Sequence, residues 1–248
     1  MMAVVAEMSG AVTEWCYPDT DREIIIIVGG FGSGKTEVAV NLAAFFMRAN
    51  RSPVTLVDLD LVNPYFRSRE AKNELTALGI EMIAPEGGKF YADLPILLPR
   101  VRGLIEAHSG LLILDVGGDA QGARALGSMA GLFAPDGYEM LMVLNSRRPQ
   151  TSDAAGCLKA MSRVETAASL KFTGLIANSH MIDETEPEVV LEGYRLVREV
   201  SEKTGLPIFA ASAKKSVLDR IDRPSLPCPV LPLSRSLLKP WERKEKSG

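Results

Sequence analysis

A run of β-branched residues leads directly into a glycine-rich loop near the start of this chain, and this junction constrains the fold more than any other feature. Residues 24–28 read IIIIV, and residues 29–36 read GGFGSGKT, which matches the pattern G-x-x-x-x-G-K-T in full. From Glu37 the sequence continues with the apolar spacing of a helix. Glycines let a backbone curl until successive N–H groups point inward, and the N-terminus of a following helix adds partial positive charge. The junction therefore predicts a phosphate-binding loop between a buried strand and a helix.

The polar residues of the loop have distinct roles in this interpretation. Lys35 can reach the β- and γ-phosphates of a nucleotide, and the Thr36 hydroxyl can ligate Mg²⁺. An accidental Lys-Thr after a glycine-rich turn is the alternative, and the correct strand and helix on either side disfavour it. Hydrolysis does not follow from binding, because kinases, regulatory GTPases and nucleotide sensors also use phosphate loops. The nucleotide-binding residues predicted in this segment are Gly29, Gly32, Ser33, Gly34, Lys35, Thr36 and Glu37.

Strand-like runs alternate with helical patterns along most of the 248 residues. This alternation predicts an α/β fold, a three-layer P-loop NTPase with a mostly parallel sheet of about seven strands and helices on both faces. The length fits a single nucleotide-binding domain over 1–248, with a loose N-terminal arm over 1–21 and an irregular, proline-rich tail over 224–248. The predicted strands are 24–28, 54–58, 80–84, 111–115, 140–145, 172–178 and 207–211.

Composition excludes several classes of partner. The net charge of −3 is spread along the chain without a basic stripe, so no nucleic-acid partner is expected. The three cysteines are far apart and form no C-x-x-C pair, which predicts reduced thiols in a cytoplasmic protein. No apolar run approaches the ~20 residues that span a bilayer. The short tail around Trp241 is too weakly apolar for stable membrane attachment.

Polar residues stand at the ends of four predicted strands: Asp58, Asp115, Asn145 and Asn178. In an open parallel sheet, ligands bind outside the carboxyl ends of the strands. Each residue could instead cap the turn that follows it, since Asp and Asn favour such positions. That alternative weakens because all four fall on the same edge as the phosphate loop.

Two acidic segments complete the predicted site. Asp115 ends an apolar strand, as in a Walker B pattern, and would hold Mg²⁺ through a water together with Thr36. Gly118 completes D-x-x-G, in which the glycine N–H can approach the γ-phosphate and the loop can move when that phosphate leaves. Asp58 and Asp60 suit the surroundings of the metal and the positioning of an attacking water. Helix capping is the alternative for Asp60.

On these residues the chain resembles the MinD/ParA-type P-loop ATPases, within the wider class that includes signal-recognition GTPases, nitrogenase iron protein and metallochaperone NTPases. The resemblance rests on residues 29–36, 57–60 and 114–118 and on Asn178, and it covers roughly residues 24–211. It implies that Asp60, Asp58 and Lys35 form the catalytic set and that Asp58 joins Thr36 and Asp115 as a metal-site residue. It also implies that Asn178 reads the adenine edge.

One departure concerns the loop itself. Gly30 stands where the deviant-Walker members of that family carry a lysine that reaches across a dimer to the partner's nucleotide. The resemblance therefore leaves a homodimer open. The candidates for neutralising γ-phosphate charge in place of that lysine are Arg67, Arg69, Arg147 and Arg148. Nothing in the sequence selects among them, and for each a solvated surface position is favoured over that role.

The base is the last question that the sequence addresses. GTPases of this class read guanine with N-K-x-D, whereas here Asn178 is followed by Met181 at the acid's position. Residues 211–214, ASAK, resemble the S-A-K loop of small GTPases, and Ser212 and Ala213 are expected to line the base pocket. Without the acid the guanine edge loses its most discriminating partner, so ATP is favoured.

The sequence thus predicts a Mg²⁺-dependent ATP-binding protein that acts as a slow ATPase switch on a protein partner. Three alternatives stay open: a nucleotide sensor that does not hydrolyse, a GTPase, and a P-loop kinase whose acceptor would sit at residues 87–91.

Overall fold

The computed structural model describes residues 15–60, 72–84, 90–107 and 110–234. These residues form one eight-stranded sheet in which every neighbouring pair of strands is parallel. The strand order is β3-β2-β4-β1-β5-β6-β7-β8. The strands are β1 (Ile24–Gly29), β2 (Val54–Leu59), β3 (Glu81–Ile83), β4 (Leu111–Gly117), β5 (Glu139–Leu144), β6 (Gly174–Ala177), β7 (Ile208–Lys214) and β8 (Val230–Leu233).

Helices cover both faces of the sheet, which gives the three layers predicted. Alternate residues of β1 enter opposite layers, because successive side chains of a strand point to opposite faces. Ile26 packs in a core layer with residues of α3 to α7, and Ile25 packs in the other layer with α1 and α2. The helices are α1 (Lys35–Arg48), α2 (Lys72–Ala77), α3 (Phe90–Ala107), α4 (Ala120–Gly127), α5 (Ala154–Ala168), α6 (Pro187–Thr204) and α7 (Lys215–Leu218).

All seven predicted strands are present, and β8 is an addition to them. It lies within the segment that the proline content had marked as irregular. Pro232 is compatible with β8 because this strand is at the edge of the sheet, where a missing N–H donor is tolerated. Two contacts hold the strand further: Val230 N–H donates to Cys16 O (2.8 Å), and Ser234 N–H donates to Asn41 Oδ1 (2.8 Å).

The sequence also predicts that no segment spans a bilayer and that the cysteines are reduced thiols. No helix of the described residues is long and apolar enough to cross a membrane. Cys16, Cys157 and Cys228 are free thiols. Burial raises the pKa of Cys157 to about 12 and that of Cys228 to about 11, which keeps both thiols protonated.

Parallel strands bring their carboxyl ends to one edge of the sheet, and the phosphate loop follows β1 at this edge. The four polar residues predicted there are almost fully buried, each at most 1% exposed. They are Asp58, Asp115, Asn145 and Asn178. Polar groups at that depth need hydrogen-bond partners, so their contacts define what the edge can bind.

Candidate nucleotide-binding site

The phosphate loop is a tight turn that ends at Gly34, the residue immediately before α1. Ser33 N–H donates to Gly30 O (3.0 Å), and Gly34 takes a left-handed conformation with φ +82° at the N-cap of the helix. A Cβ atom at Gly34 would collide with Asn178 Nδ2 and lie 3.0 Å from His180 Nε2. Only glycine satisfies both the backbone angle and the close approach. The loop geometry that the motif predicts is therefore present.

Lys35 is paired with Asp60 at the centre of the site. Its Nζ lies 2.5 Å from Asp60 Oδ2, and the two side chains are 7% and 3% exposed. Burial alone would lower the pKa of Lys35, but the carboxylates of Asp115 and Asp60 outweigh it and raise the pKa above its usual value. Lys35 therefore keeps its positive charge beside the loop.

The predicted metal-site residues lie together beside this pair. The Thr36 hydroxyl donates to Asp115 Oδ2, while Asp115 Oδ1 is buried without a hydrogen-bond partner among the described residues. Burial raises the pKa of Asp115 to about 6, although Lys35 and the Thr36 hydroxyl oppose that rise. Asp58 is the register partner of Asp115 on the neighbouring strand, and its Oδ1 accepts the N–H of Asp60 (3.0 Å).

These residues fit a magnesium ion held jointly with phosphates. Mg²⁺ is commonly bound through one or two carboxylates, a hydroxyl and substrate phosphate oxygens rather than by a complete protein cage. The described residues contain no group of three or more His, Cys, Asp or Glu side chains that could hold a metal by themselves. The open oxygen of Asp115, next to the Thr36 hydroxyl, is the kind of ligand such a shared site uses.

Gly118 meets the phosphate loop directly. Its N–H donates to Gly29 O (3.0 Å), and a Cβ atom would come within 2.7–2.9 Å of the backbone of Gly29 and Gly30. Asp119 then caps α4 by accepting from the N–H groups of Gln121 and Gly122. The D-x-x-G segment is therefore in backbone contact with the loop, and a glycine is needed at the point of contact.

Asn178 joins the loop to the strands on the predicted base side. Its Nδ2 donates to Ser33 O (2.7 Å), and its Oδ1 accepts from the Ser212 hydroxyl (2.9 Å). An amide has two N–H donors and two acceptor lone pairs, so these two contacts use one of each. Ser212 and Ala213 are both buried on β7 beside it.

Two loop contacts come from residues that the sequence did not assign to the nucleotide. Arg148 Nε donates to Gly32 O (2.7 Å), and Asn145 Nδ2 lies 3.3 Å from the same oxygen. The sequence did indicate a site position for Asn145, because it is a polar residue at the end of a predicted strand. Arg148 was one of four arginines considered for the γ-phosphate, and nothing in the sequence indicated a contact with the outside of the loop.

His180 also lies against the loop. Its Nε2 is buried and has no hydrogen-bond partner within the described part of the chain. Burial lowers its pKa to about 4, and the nearby charge of Arg148 acts in the same direction. The ring is therefore neutral at pH 7, and in the tautomer protonated at Nδ1 its Nε2 can accept a hydrogen bond.

The other predicted residues have different positions. Glu37 contacts its own helix, where both its carbonyl and its carboxylate accept from Asn41 Nδ2 (2.8 and 3.2 Å). Arg67, Arg69 and the loop at 87–89 lie outside the described residues. Arg147, the other arginine considered for the γ-phosphate, is half-exposed and paired with Glu192.

Comparison with known proteins shows which solved structures share this fold. No family model and no curated protein sequence matches the chain. Among solved structures, the 54 kDa protein of the signal recognition particle from Aeropyrum pernix, crystallised with GDP, gives a TM-score of 0.53 at 22% identity over 78% of this chain and 42% of that one. Chloroplast FtsY from Physcomitrella patens gives 0.51 at 18% identity over 80% and 60%. The receptor FtsY from Elizabethkingia anophelis gives 0.50 at 17% identity over 90% and 66%.

These similarities establish a shared fold. The chain matches between 42% and 66% of the length of those structures. The chain therefore has the three-layer P-loop NTPase architecture, and any narrower function depends on its own residues.

Proposed function

We propose that this protein is a Mg²⁺-dependent ATP-binding switch of the MinD/ParA-like class, a slow ATPase that acts in the cytoplasm on a protein partner. The observation that carries the proposal is the convergence at one buried edge of the loop residues Lys35 and Thr36 with Asp58, Asp60 and Asp115. Burial of that much charge costs free energy, and a phosphate ligand with a divalent cation would offset it.

Binding would exchange the partner of Lys35. The ammonium now held by Asp60 would turn to the β- and γ-phosphates, which leaves Asp60 to orient water for attack. Asp58 would hold Asp60 in place through the N–H of that residue. Thr36 and Asp115 would hold Mg²⁺, which when bound neutralises phosphate charge.

The proposed switch connects the γ-phosphate to the protein surface. Gly118 contacts the loop through the carbonyl of Gly29, and residues 61–71, which follow Asp60, lie outside the described part of the chain. The three large apolar side chains exposed among the described residues are Phe31, Met181 and Ile182. All three lie in segments that follow strands at this same edge, which supports a protein partner that docks beside the nucleotide.

The preference for ATP rests on the base side of the site. Asn178 keeps one donor and one acceptor, a combination that matches the N6 amino group and a ring nitrogen of adenine. The position at which GTPases place their guanine-reading acid holds Met181, which is 46% exposed.

A GTPase is the second candidate, because an acid does lie close to that position. Asp183 is two residues after Met181 and forms an ion pair with Lys214 at 2.6 Å. Lys214 directly follows Ser212 and Ala213 in the sequence. A structural neighbour was also crystallised with GDP. If Asp183 turned from Lys214 to a base, it could accept from the N1–H and amino group of guanine.

Equilibrium competition between ATP and GTP, followed by single-turnover hydrolysis with each, tests both candidates. We expect tighter ATP binding and slow ATP hydrolysis that is lost in Asp60→Ala. Asp219→Ala, which removes an exposed carboxylate paired with Lys215, is the matched control and should behave as wild type. Preferred binding of GTP would favour the second candidate, and binding of neither nucleotide would refute both. If the protein binds a nucleotide but hydrolyses it no faster than background, the ATPase and GTPase candidates both fail and a nucleotide sensor that does not hydrolyse is favoured.

A further inference from the structure

Side chains that follow two other strands donate hydrogen bonds to consecutive carbonyl groups on the outside of the phosphate loop. Arg148 and Asn145, which follow β5, contact Gly32 O, and Asn178, which follows β6, contacts Ser33 O. The Arg148 contact is the shorter of the two on Gly32, 2.7 Å against 3.3 Å, and its donor is charged. Charge-assisted hydrogen bonds are about twice as strong as neutral ones, so Arg148 dominates the first contact.

Holding a carbonyl also fixes the N–H of the same peptide unit. The peptide is planar and trans, so its C=O and N–H point in opposite directions. With Gly32 O turned outward to Arg148, the N–H of Ser33 points inward, where it donates to Gly30 O at 3.0 Å. The Arg148 contact therefore sets the turn between Gly30 and Ser33, and with it the curvature on which inward-pointing amides depend.

Arg148 is itself held in place. Its N–H donates to Asn145 O (3.1 Å), and its own carbonyl accepts from Thr151 N–H (2.9 Å). The space for its guanidinium exists because residue 32 is glycine: a Cβ atom there would lie 2.8 Å from Arg148 Nε, and Gly32 has φ +73°. A rigid turn after β5 therefore presents a fixed cation to a glycine that leaves room for it.

We propose that Arg148 is a positioning residue for the nucleotide, one that shapes the loop from outside rather than neutralising the γ-phosphate. The inference rests on the proposed nucleotide-binding function and assigns this arginine a role within it. Because the loop amides surround phosphates that ATP and ADP share, losing the contact weakens both ligands by the same factor. An arginine that neutralised the γ-phosphate would affect ATP alone.

The test compares ATP and ADP affinities of wild type, Arg148→Ala, Arg148→Lys and Arg198→Ala. Arg198 is exposed on α6 and paired with Glu202, so its variant controls for the loss of a surface arginine. We expect Arg148→Ala to weaken ATP and ADP equally, by roughly 10- to 100-fold, as the loss of a charged hydrogen bond implies. Arg148→Lys keeps the charge without the guanidinium and should recover part of the loss. Arg198→Ala should leave both affinities unchanged.

A second measurement reports on the loop without any ligand. Amide hydrogen exchange of Ser33 should accelerate in Arg148→Ala and stay unchanged in Arg198→Ala, while urea unfolding confirms that both variants fold. Loss of ATP affinity alone, or unchanged affinities in Arg148→Ala, would overturn the inference. If wild type binds neither ATP nor GTP, the proposed function itself fails, which is a distinguishable result.

Discussion

Asp60→Asn should bind ATP more tightly than wild type while hydrolysing it more slowly. The structure pairs Asp60 with Lys35, and in the proposed mechanism the phosphates must take Lys35 from that carboxylate. Part of the binding free energy of wild type is therefore consumed in separating the two charges. Asparagine has nearly the same shape but no charge, so the competition for Lys35 is largely removed.

The size of the effect follows from the geometry of the pair. Hydrogen bonds to charged groups contribute about 1.5–3 kcal/mol, and breaking a buried ion pair costs about 3–5 kcal/mol. Asp115 and Asp58 also attract Lys35, and this attraction remains in the variant. The smaller of the two free-energy ranges, about 1.5–3 kcal/mol, therefore applies. A gain of about 2 kcal/mol corresponds to roughly 30-fold tighter binding. Loss of the water-positioning carboxylate should slow hydrolysis by roughly 10²- to 10⁴-fold.

Isothermal titration with ATP and ADP at fixed Mg²⁺, together with single-turnover hydrolysis, measures both effects. Asp219→Asn is the control, because Asp219 belongs to an exposed pair with Lys215 outside the site. It should change neither affinity nor rate. Equal or weaker ATP binding in Asp60→Asn would refute the reasoning, since it would mean that the nucleotide does not compete with Asp60 for Lys35.

Three further predictions concern other parts of the site. Gly34→Ala should abolish nucleotide binding and lower the free energy of unfolding by at least about 1 kcal/mol, because its φ is +82° and its Cβ would strike Asn178. Gly30→Ala, with no atom within 4 Å of its Cβ, is the control in urea unfolding, and equal losses would contradict the prediction. The lowered pKa of His180, about 4, means that wild type loses stability as pH falls through 6.5 towards 4. Relative to His180→Gln, wild type should therefore lose about 3 kcal/mol between pH 7.5 and 4 in urea titrations, and parallel pH profiles would show this to be wrong. Asp115→Asn should remove most of the Mg²⁺ dependence of ATP affinity, measured with Mg²⁺ and with a chelator, and an unchanged dependence would exclude Asp115 as a metal ligand.

Most of the fold, and the position of two acidic residues of the candidate site at one edge of the sheet, could be predicted because their signals are local. A β-branched run, a glycine loop and a helix pattern are contiguous over residues 24–48, and each favours the same architecture. Asp58 and Asp115 lie near the carboxyl ends of two strands that pair in register, so a rule about strand ends was enough to predict that they lie together.

What could not be predicted depends on contacts between distant residues. Arg148 is 116 positions from Gly32, and no periodicity connects an arginine in one turn to a carbonyl in another. The sequence predicts only a loop position for His180, and its burial against Gly34 follows from the sheet order, in which β6 pairs with β5 and β5 pairs with β1. The strand β8 was hidden because Pro232 argues against a central strand, and only the sheet order makes it an edge.

The charges at this edge constrain how an anion can bind there. Lys35 brings one positive charge against the carboxylates of Asp58, Asp60 and Asp115, all at most 4% exposed. A triphosphate added to three carboxylates would meet like charge in a poorly solvated site, where such repulsion is strong. Burial, with a smaller contribution from Asp60, raises the pKa of Asp115 to about 6 against the opposing effect of Lys35, so its ionised form is already disfavoured within the protein. A divalent cation beside Thr36 would both keep Asp115 ionised and screen it from the phosphates, so in the proposed function Mg²⁺ is part of nucleotide recognition as well as of hydrolysis.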